Sequence, residues 1–362
     1  MNGGGTIEQR RAAALGCLLG TAVGDALGLP CEGLSRGRQL RLFPRLEGYG
    51  FFFGKGMCSD DTDHACMVAQ SLAVAGNNAR RFASSLAWRL RFWLLGLPAG
   101  IGWATLRAIL KLWIFFPPQF SGVRSAGNGP AMRSALLGVC LAEDDAALIL
   151  HVGAATGMTH RDPKAECGAL AVALAARSSM RGEDGAVYVA HLRRFLAPFG
   201  EPGRELLALV ERARESAARG EPGTAFADSI GCARGVSGYM YHSVPAVLHA
   251  WFTHPRDFAA AVTAVVRCGG DTDTTAAITG AIVGAGVGKS GIPERWLAEL
   301  WDWPRGVRWI ETVAERAVDA SVRGRGGSHN ALYISPWWLL ARNLGFLLIV
   351  LAHGFRRLAP PY

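Results

Sequence analysis

Two short segments of the sequence concentrate carboxylate and hydroxyl side chains. The first is Ser-Asp-Asp-Thr at 59–62, and the second is Asp-Thr-Asp-Thr at 271–274, directly behind a pair of glycines. One such residue is enough to cap a helix, whereas adjacent carboxylates repel each other unless a positive charge lies between them. A metal site is therefore the favoured interpretation of both segments, with a simple helix cap as the alternative.

The second segment has its two carboxylates two residues apart. In an extended backbone such side chains point the same way, so Asp271 and Asp273 can converge on one point. Gly269 and Gly270 allow the unusual dihedrals that this presentation needs. Oxygen ligands without a His or Cys cluster suit Mg²⁺, Mn²⁺ or Ca²⁺ better than zinc. Two such loops have enough ligands for a pair of ions, an arrangement that clamps oxygen-rich substrates.

Three further signals are weaker. Glu32 follows a Gly/Pro turn and could act as a base or a gate. Asn128 lies between glycines ahead of a helical pattern and could bind a hydroxyl group or a water molecule. His160 and Asp162 come just before Pro163, a favoured first residue of a helix, so Asp162 could be only a cap. A lone histidine is also more often a structural hydrogen bonder than a catalyst.

The elements that must position these residues are helices. Apolar residues recur at helical spacing and sustained alternation is scarce, which predicts an all-α fold. Half of the 362 residues are hydrophobic and 19% are charged, as in a chain that is mostly packed. The predicted helices, separated by Gly and Pro, span 7–28, 63–76, 79–95, 130–142, 144–156, 163–178, 184–196, 203–219, 224–232, 243–252, 255–267, 274–287, 294–301 and 307–319.

The chain is predicted to divide into a compact body, 1–319, and an extension, 320–362, made of a flexible linker and an apolar tail helix. Arg342 and Asn343 interrupt the apolar run, leaving less than the roughly 20 residues that a membrane span needs. Packing of this helix on the body or on a partner is favoured. Contact with a membrane surface is the less favoured alternative, suggested by tryptophans at one end and arginines at the other.

The formal net charge of +9 comes largely from scattered arginines, with denser groups at Arg316, Arg323 and Arg325 and at Arg356 and Arg357. This charge suits a phosphate-bearing substrate or an acidic partner, but no basic motif interleaved with aromatic residues accompanies it, so no nucleic-acid binding is predicted. The eight cysteines lie far apart and the N-terminus lacks a long apolar signal core. Both features predict a cytoplasmic protein.

Five motifs together resemble one family. GCLLGTAVGDALGLPCEG, SDDT, GNGPAMR, THRDP and CGGDTDTTAAITGAIVGA occur in this order over about 12–290. This order resembles the ADP-ribosylglycohydrolase family, of the dinitrogenase-reductase-activating glycohydrolase type. The resemblance implies an all-α orthogonal helical bundle with a binuclear magnesium centre, in which Mn²⁺ can substitute. It also implies cleavage of the glycosidic bond between ADP-ribose and a modified protein side chain, with arginine favoured.

The resemblance implies roles for individual positions. The implied metal ligands are Ser59, Asp60, Asp61, Asp271, Asp273 and Thr274. The implied catalytic carboxylates are Glu32, Asp60 and Asp61, and the choice among them for the base that deprotonates the attacking water stays open. The implied substrate contacts are Asn128, His160, Asp162, Gly238 and Tyr239.

The implied partner is an ADP-ribosylated protein. A second hypothesis is an immunity protein that binds and occludes an ADP-ribosylating toxin, with or without hydrolysis. Its motivation is the tail after residue 320, which has no counterpart in the core family. An inactive scaffold ranks last, because all six positions of the implied metal ligands carry suitable oxygen-bearing side chains.

Overall fold

The computed structural model describes residues 6–356, except for the side chain of Phe52. The ends of the predicted body and extension, 1–5 and 357–362, lie outside the described residues, and Arg357 of the basic group lies there with them. The described chain folds into eighteen α-helices and has no strand, which confirms the predicted all-α class.

The α-helices follow one another as short and medium-length segments. They are α1 (Ile7–Gly28), α2 (Arg36–Leu42), α3 (Asp60–Ala75), α4 (Ala79–Leu95), α5 (Trp103–Trp113), α6 (Pro118–Ser121), α7 (Ala135–Cys140), α8 (Asp145–Gly157), α9 (Pro163–Arg181), α10 (Gly185–Leu196), α11 (Glu201–Ala218), α12 (Gly223–Ser229), α13 (Met240–Thr253), α14 (Phe258–Val266), α15 (Thr272–Val287), α16 (Glu294–Glu299), α17 (Val307–Val322) and α18 (Pro336–Arg356).

The helical pattern predicts most of these elements well. The predicted helices 7–28 and 79–95 have the same bounds as α1 and α4, whereas 130–142 is split into a 3-10 turn, Ala131–Arg133, and α7. Helices α2, α5 and α6 are missing from the prediction. In α5 the exposed side carries Trp103 and Leu110 beside Arg107, so its apolar residues are not confined to the buried side.

Helices α1 and α15 pack in close contact, and this contact positions both ends of the site. Glycine occupies every fourth position of α1 from Gly16 to Gly28, which places the four glycines on one face. A Cβ atom on Gly20 would lie 2.1 Å from the carbonyl oxygen of Gly280. At the end of the pair, the Thr272 hydroxyl donates to the Gly28 carbonyl over 2.8 Å. The C-terminus of α1 therefore lies beside the N-terminus of α15.

The extension packs on the body through its polar residues. Before α18, the Gln70 side chain of α3 donates to the Ala331 carbonyl over 2.7 Å. Within α18, Arg342, Asn343 and Phe346 are buried while most other residues are exposed or half-buried. The favoured prediction, a helix packed on the body, therefore describes one side of α18. The division at residue 319 and the flexible linker stay predictions.

Two stretches of the described chain are long and apolar enough to cross a membrane on those grounds alone. Ile7–Cys31 is 89% buried and forms the core of the body, whereas Ser328–Arg356 is 17% buried. The expectation that Arg342 and Asn343 make the tail too short for a span is therefore wrong by length and composition. The buried hydrogen bonds of these two residues instead favour a helix that stays on the protein.

Candidate active site

The N-termini of α3 and α15 meet, which brings the two oxygen-rich segments together. The Thr274 hydroxyl donates to Asp61 Oδ2 over 3.1 Å, and the Ser59 hydroxyl donates to the same oxygen over 3.2 Å. The other oxygen of this carboxylate, Oδ1, is buried without a hydrogen-bond partner. A buried carboxylate oxygen of this kind needs a positive ligand or a proton.

Beneath this contact, Asp25 of α1 holds the start of α3 in place. Its carboxylate accepts hydrogen bonds from the Ser59 N–H over 3.0 and 2.9 Å. It also accepts from the Thr62 N–H over 3.2 Å and from the Thr62 hydroxyl over 2.6 Å. Complete burial raises the pKa of Asp25 to about 7, although these hydrogen bonds oppose the rise. A carboxylate inside an otherwise small and apolar helix was the sequence signal for this supporting role.

The loop before α15 depends on its glycines. Gly270 has φ +85°, and a Cβ atom there would lie 2.1 Å from the Val236 carbonyl oxygen. That carbonyl accepts a hydrogen bond from the Asp271 N–H over 2.8 Å. The Asp271 carboxylate does not cap its own helix but accepts from Asn128 Nδ2 over 2.7 Å. Since the same amide nitrogen donates to the Ser243 hydroxyl over 2.9 Å, Asn128 orients Asp271.

Negative charge accumulates where the loops meet. Burial raises the pKa values of Asp60, Asp61 and Asp273 well above their usual range, and the neighbouring carboxylates raise them further. The neighbouring carboxylate that raises the pKa of Asp273 most is Glu32, which is exposed. Glu32 is held near the site by the next residue, Gly33, whose N–H donates to the Gly270 carbonyl over 2.9 Å. Within residues 6–356, Asp60, Asp61 and Asp273 make no ion pair with Lys or Arg. A bound cation would remove this repulsion.

The donor chemistry fits a hard divalent cation. Carboxylate and hydroxyl oxygens dominate the site. Asp61 Oδ1, which has no hydrogen-bond partner, has a lone pair available for a metal ion. However, among residues 6–356 no three His, Cys, Asp or Glu side chains meet the geometry of a metal-binding group. The implied ligand set therefore stays a prediction.

A cavity of about 400 Å³ opens above the carboxylates. Nine of the residues singled out in the sequence line it: Glu32, Ser59, Asp60, Asn128, His160, Gly238, Asp271, Asp273 and Thr274. Asp61 lies beneath the cavity. A larger cavity of about 1200 Å³ lies at the other end of the α1 and α15 pair, away from both oxygen-rich segments.

Asp162 and Tyr239 are not among the residues that line the 400 Å³ cavity. The carboxylate of Asp162 caps α9 by accepting from the Lys164 N–H over 2.9 Å. The Tyr239 hydroxyl accepts from Lys164 Nζ over 3.0 Å, and the same ammonium pairs with Glu205 over 2.6 Å. Substrate contact by these two residues stays a prediction.

His160 is held as a hydrogen-bond donor. Burial, together with the nearby positive charge of Arg133, lowers the pKa of His160 to about 3, so the ring is neutral. The guanidinium of Arg133 donates to the Thr159 hydroxyl. That hydroxyl therefore uses its proton toward His160 Nδ1, 2.8 Å away, which assigns the ring proton to Nε2. Nε2 lies beside the Gly127 loop at the cavity wall.

The C-terminal helix completes the cavity, which the sequence did not predict. Phe346 and Val350 of α18 line it. One turn earlier, the buried Arg342 pairs with Asp302 and donates to the carbonyl of Cys58, the residue before Ser59. The polar residues within the apolar run were the signal, because a buried charge in such a helix needs a partner on the body.

The helical fold, the paired oxygen-rich helix N-termini and the cavity belong to a hydrolase of a known family. A family model of the ADP-ribosylglycohydrolases matches residues 6–326. The chain belongs to the ADP-ribosylglycohydrolase family, and it is a hydrolase that acts on glycosyl bonds. Helix α18 lies beyond the matched region.

Individual relatives and a solved structure resemble nearly the whole chain. The ADP-ribosyl-[dinitrogen reductase] glycohydrolase of Rhodospirillum rubrum is 28% identical over 85% of this chain and 94% of its own length. The ADP-ribosylarginine hydrolase Tri1 of Pseudomonas putida is 26% identical over 87% of this chain and 80% of its own length. A solved ADP-ribosylglycohydrolase-related protein complex superposes with a TM-score of 0.63 at 28% identity, over 87% of this chain and 99% of the other.

Proposed function

We propose that this protein is a magnesium-dependent hydrolase that releases ADP-ribose from modified protein side chains, with ADP-ribosyl-arginine as its preferred substrate. Family membership supports the class of reaction. The names of two relatives, one acting on ADP-ribosyl-dinitrogen reductase and one on ADP-ribosylarginine, support a protein substrate and an arginine linkage.

One observation carries the proposal. The hydrogen bond between Thr274 and Asp61, 3.1 Å long, joins the two oxygen-rich helix ends directly below the cavity. The cavity volume of about 400 Å³ is within the range of pockets that bind small polar ligands. Carboxylates, a neutral histidine and an amide side chain therefore surround a space that suits a ribose with its substituents.

The two ions would be held between the loops by the residues that the resemblance implies, namely Ser59, Asp60, Asp61, Asp271, Asp273 and Thr274. When bound, they would supply positive charge that orients the ribose hydroxyls and lowers the pKa of water. The choice of Mg²⁺ over Mn²⁺ rests on the resemblance.

The protein's own groups have separate tasks in this scheme. His160 Nε2 donates a hydrogen bond to a phosphate or ribose oxygen, and Asn128 keeps Asp271 oriented. Water attacks the anomeric carbon as the bond to the side-chain nitrogen breaks, and the departing guanidine takes up a proton. Asp60, Asp61 or Glu32 accepts the proton of the attacking water.

Release of free ADP-ribose from an ADP-ribosylated arginine peptide tests the proposal. We expect release with Mg²⁺, loss of release with a chelator, and no release by the Asp60→Ala and Asp271→Ala variants. Glu215→Gln, on the exposed side of α11, is a matched control that leaves release unchanged. A fully active Asp271→Ala variant, or equal release from a serine-linked peptide, would contradict the mechanism or the linkage respectively.

The toxin-occluding alternative has no support, because the named functions of the relatives are those of hydrolases and no feature of the described site favours occlusion. A cytoplasmic location remains part of the proposal. All eight cysteines are buried and none forms a disulfide bond within the described residues, as in a protein kept in a reducing compartment.

A further inference from the structure

Exposed large apolar side chains gather in two parts of the chain. Of the 27 such residues, ten lie between 79 and 121, on α4 to α6 and their loops, and eight lie between 328 and 356, on or just before α18. Single exposed apolar residues are ordinary, but this concentration is not. Trp103 is 80% exposed, and Leu348 is 69% exposed. We call these two parts together the apolar face.

The same two parts of the chain carry no acidic residue. No Asp or Glu occurs from 64 to 142 or from 320 to 362. The same two segments contain 13 of the 38 Lys and Arg residues. The rest of the chain has 25 Lys and Arg against 29 Asp and Glu, so it is net acidic. The chain's net positive charge therefore comes from these two segments, although three of their cations, Arg91, Arg133 and Arg342, are buried. Arg80, Arg81, Arg107 and Arg124 are among their exposed cations.

Helix α18 buries polar residues and exposes apolar ones. Its polar Arg342 and Asn343 face the body, where Asn343 donates to the Gly96 carbonyl over 2.7 Å. Its outer side presents Leu344, Leu348 and Leu351, which are 47%, 69% and 48% exposed. An ordinary surface helix has the reverse arrangement. The outer side is therefore suited to an apolar environment.

Strained loops present further apolar side chains. Leu97 and Phe115 have left-handed backbones, with φ +52° and +64°, and both side chains are exposed. Phe53, with φ +55°, is also exposed. Bulky residues rarely adopt this conformation, because it is strained for any side chain with a Cβ atom. Folding alone does not explain strain that keeps apolar groups in water.

Residues of the apolar face form part of the cavity wall. Trp103 of α5 and Phe346 and Val350 of α18 line the cavity together. The hydrogen bond from Asn343 to the Gly96 carbonyl joins α18 to the end of α4, and Leu97 follows directly. A surface that covered this face would therefore lie next to the opening through which substrate enters.

We propose that the apolar face docks on a lipid bilayer with anionic headgroups, as a peripheral contact that places the cavity mouth at the membrane surface. Apolar and aromatic side chains insert among the acyl chains, and the exposed arginines of the two acid-free segments bind the headgroups. This charge complementarity selects an anionic bilayer over a second copy of the chain, since two copies of a cationic face repel each other.

Cosedimentation of the full chain with vesicles tests the proposal, independently of any hydrolase activity. We expect binding to vesicles of phosphatidylcholine with phosphatidylglycerol, and at least tenfold weaker binding to phosphatidylcholine alone. Leu348→Glu and Arg107→Glu should each weaken binding to the anionic vesicles at least threefold, and together at least tenfold. Leu150→Glu, at a 61% exposed position on α8 outside the face, is the matched control and should bind as the wild type does.

Several outcomes would overturn the proposal. Equal binding to neutral vesicles would refute the role of charge, and wild-type binding by the double variant would refute the face. Self-association that Leu348→Glu abolishes, without vesicle binding, would identify a second copy as the occupant. If the protein in cell membranes resists alkaline carbonate extraction, α18 spans the bilayer and the contact is not peripheral. Unchanged melting temperatures of the variants would show that they are folded.

Discussion

Arg342 of the C-terminal helix forms a buried ion pair with Asp302, and its guanidinium also donates to the carbonyl of Cys58, next to Ser59. The two side chains are 5% and 1% exposed. The extension is therefore attached to the site by a charge that has no access to water. Removing one member of such a pair leaves the other charge buried and uncompensated.

We expect Arg342→Met to lower the free energy of unfolding by about 3 to 5 kcal/mol, which is typical for breaking a buried pair. Asp302→Asn should have an effect in the same range. The double variant Arg342→Met with Asp302→Asn should lose less than the sum, because no unpaired charge remains. Urea unfolding of the three variants checks this cycle. Additive losses would show that the two residues do not stabilise the protein as a pair.

The contact between Asn128 and Asp271 leads to a prediction about metal affinity. Asn128→Leu removes the donor that orients the Asp271 carboxylate over 2.7 Å. Loss of such a supporting hydrogen bond typically weakens metal binding or activity by about 10 to 100-fold. We expect the Mg²⁺ concentration for half-maximal release of ADP-ribose to rise accordingly. Titration of activity with Mg²⁺ measures it.

Ser243→Ala is the control for Asn128→Leu. It removes one partner of Asn128 but leaves the bond to Asp271, so the Mg²⁺ requirement should change less than for Asn128→Leu. If both variants have the wild-type Mg²⁺ requirement, Asn128 does not act through Asp271.

The hydrogen bonds that link Arg133 to Thr159 and Thr159 to His160 predict that the Thr159 hydroxyl positions His160. In Thr159→Val, Nδ1 of His160 loses its donor, so the ring proton is no longer confined to Nε2. We expect kcat/KM for release of ADP-ribose to fall by about tenfold, a loss on the scale of one hydrogen bond to substrate. Thr159→Ser retains the hydroxyl and should restore the rate. An active Thr159→Val variant of normal stability would contradict the assignment.

Buried histidines predict how stability depends on pH. His249 stacks on Phe226 at 4.9 Å, and its burial lowers its pKa to about 4. In the unfolded chain His249 takes up a proton near pH 6.5, its ordinary pKa, whereas in the folded protein it does so only near pH 4. Between these values the unfolded state binds more protons, so this group lowers stability as the pH falls. Urea unfolding at pH 7 and pH 5 should therefore show a smaller acid loss for His249→Asn than for the wild type.

Other groups titrate in the same range, so only the difference between the two proteins is informative. The site carboxylates have raised pKa values, and their contribution to stability has the opposite sign on acidification. Because His249 packs away from the cavity lining, its replacement leaves that contribution in place. Equal acid losses in the two proteins would show that His249 is protonated in the folded state.

The local parts of the site could be predicted from the sequence, and the connections between distant parts could not. Repulsion between adjacent carboxylates marks Asp60 and Asp61 without any knowledge of the fold. The pairing of Asn128 with Asp271 joins residues 143 positions apart, and no local pattern encodes it. The basic and apolar face is not evident from the sequence for a related reason. Its arginines are scattered when the whole chain is counted, whereas the absence of acidic residues is confined to two segments.

The orientation of the tail helix, α18, is a second feature that the sequence does not predict. From the sequence, Arg342 and Asn343 predict a run too short for a membrane span, because sequence does not tell which side of a helix faces the body. In the structure both residues are turned inward to partners at 302 and 96, and the outer side is left apolar. Similarly, α5 exposes Trp103 and Leu110 beside Arg107, which blurs the contrast between its buried and exposed sides in the sequence.

The close contact of α1 with α15 gives the sharpest test of the fold. Gly20→Ala would place a methyl group 2.1 Å from the Gly280 carbonyl oxygen, a distance that only separation of the two helices relieves. Such overpacking costs about 1 to 3 kcal/mol or more. Because the pair aligns Gly28 with Thr272, separation also moves the two ends of the site apart.

Gly37→Ala, in α2 with no atom within 4 Å of the new methyl group, is the matched control and should be neutral or stabilising. Thermal melting and ADP-ribose release of the two variants decide the matter, and a Gly20→Ala protein as stable as Gly37→Ala would refute the close packing of α1 on α15.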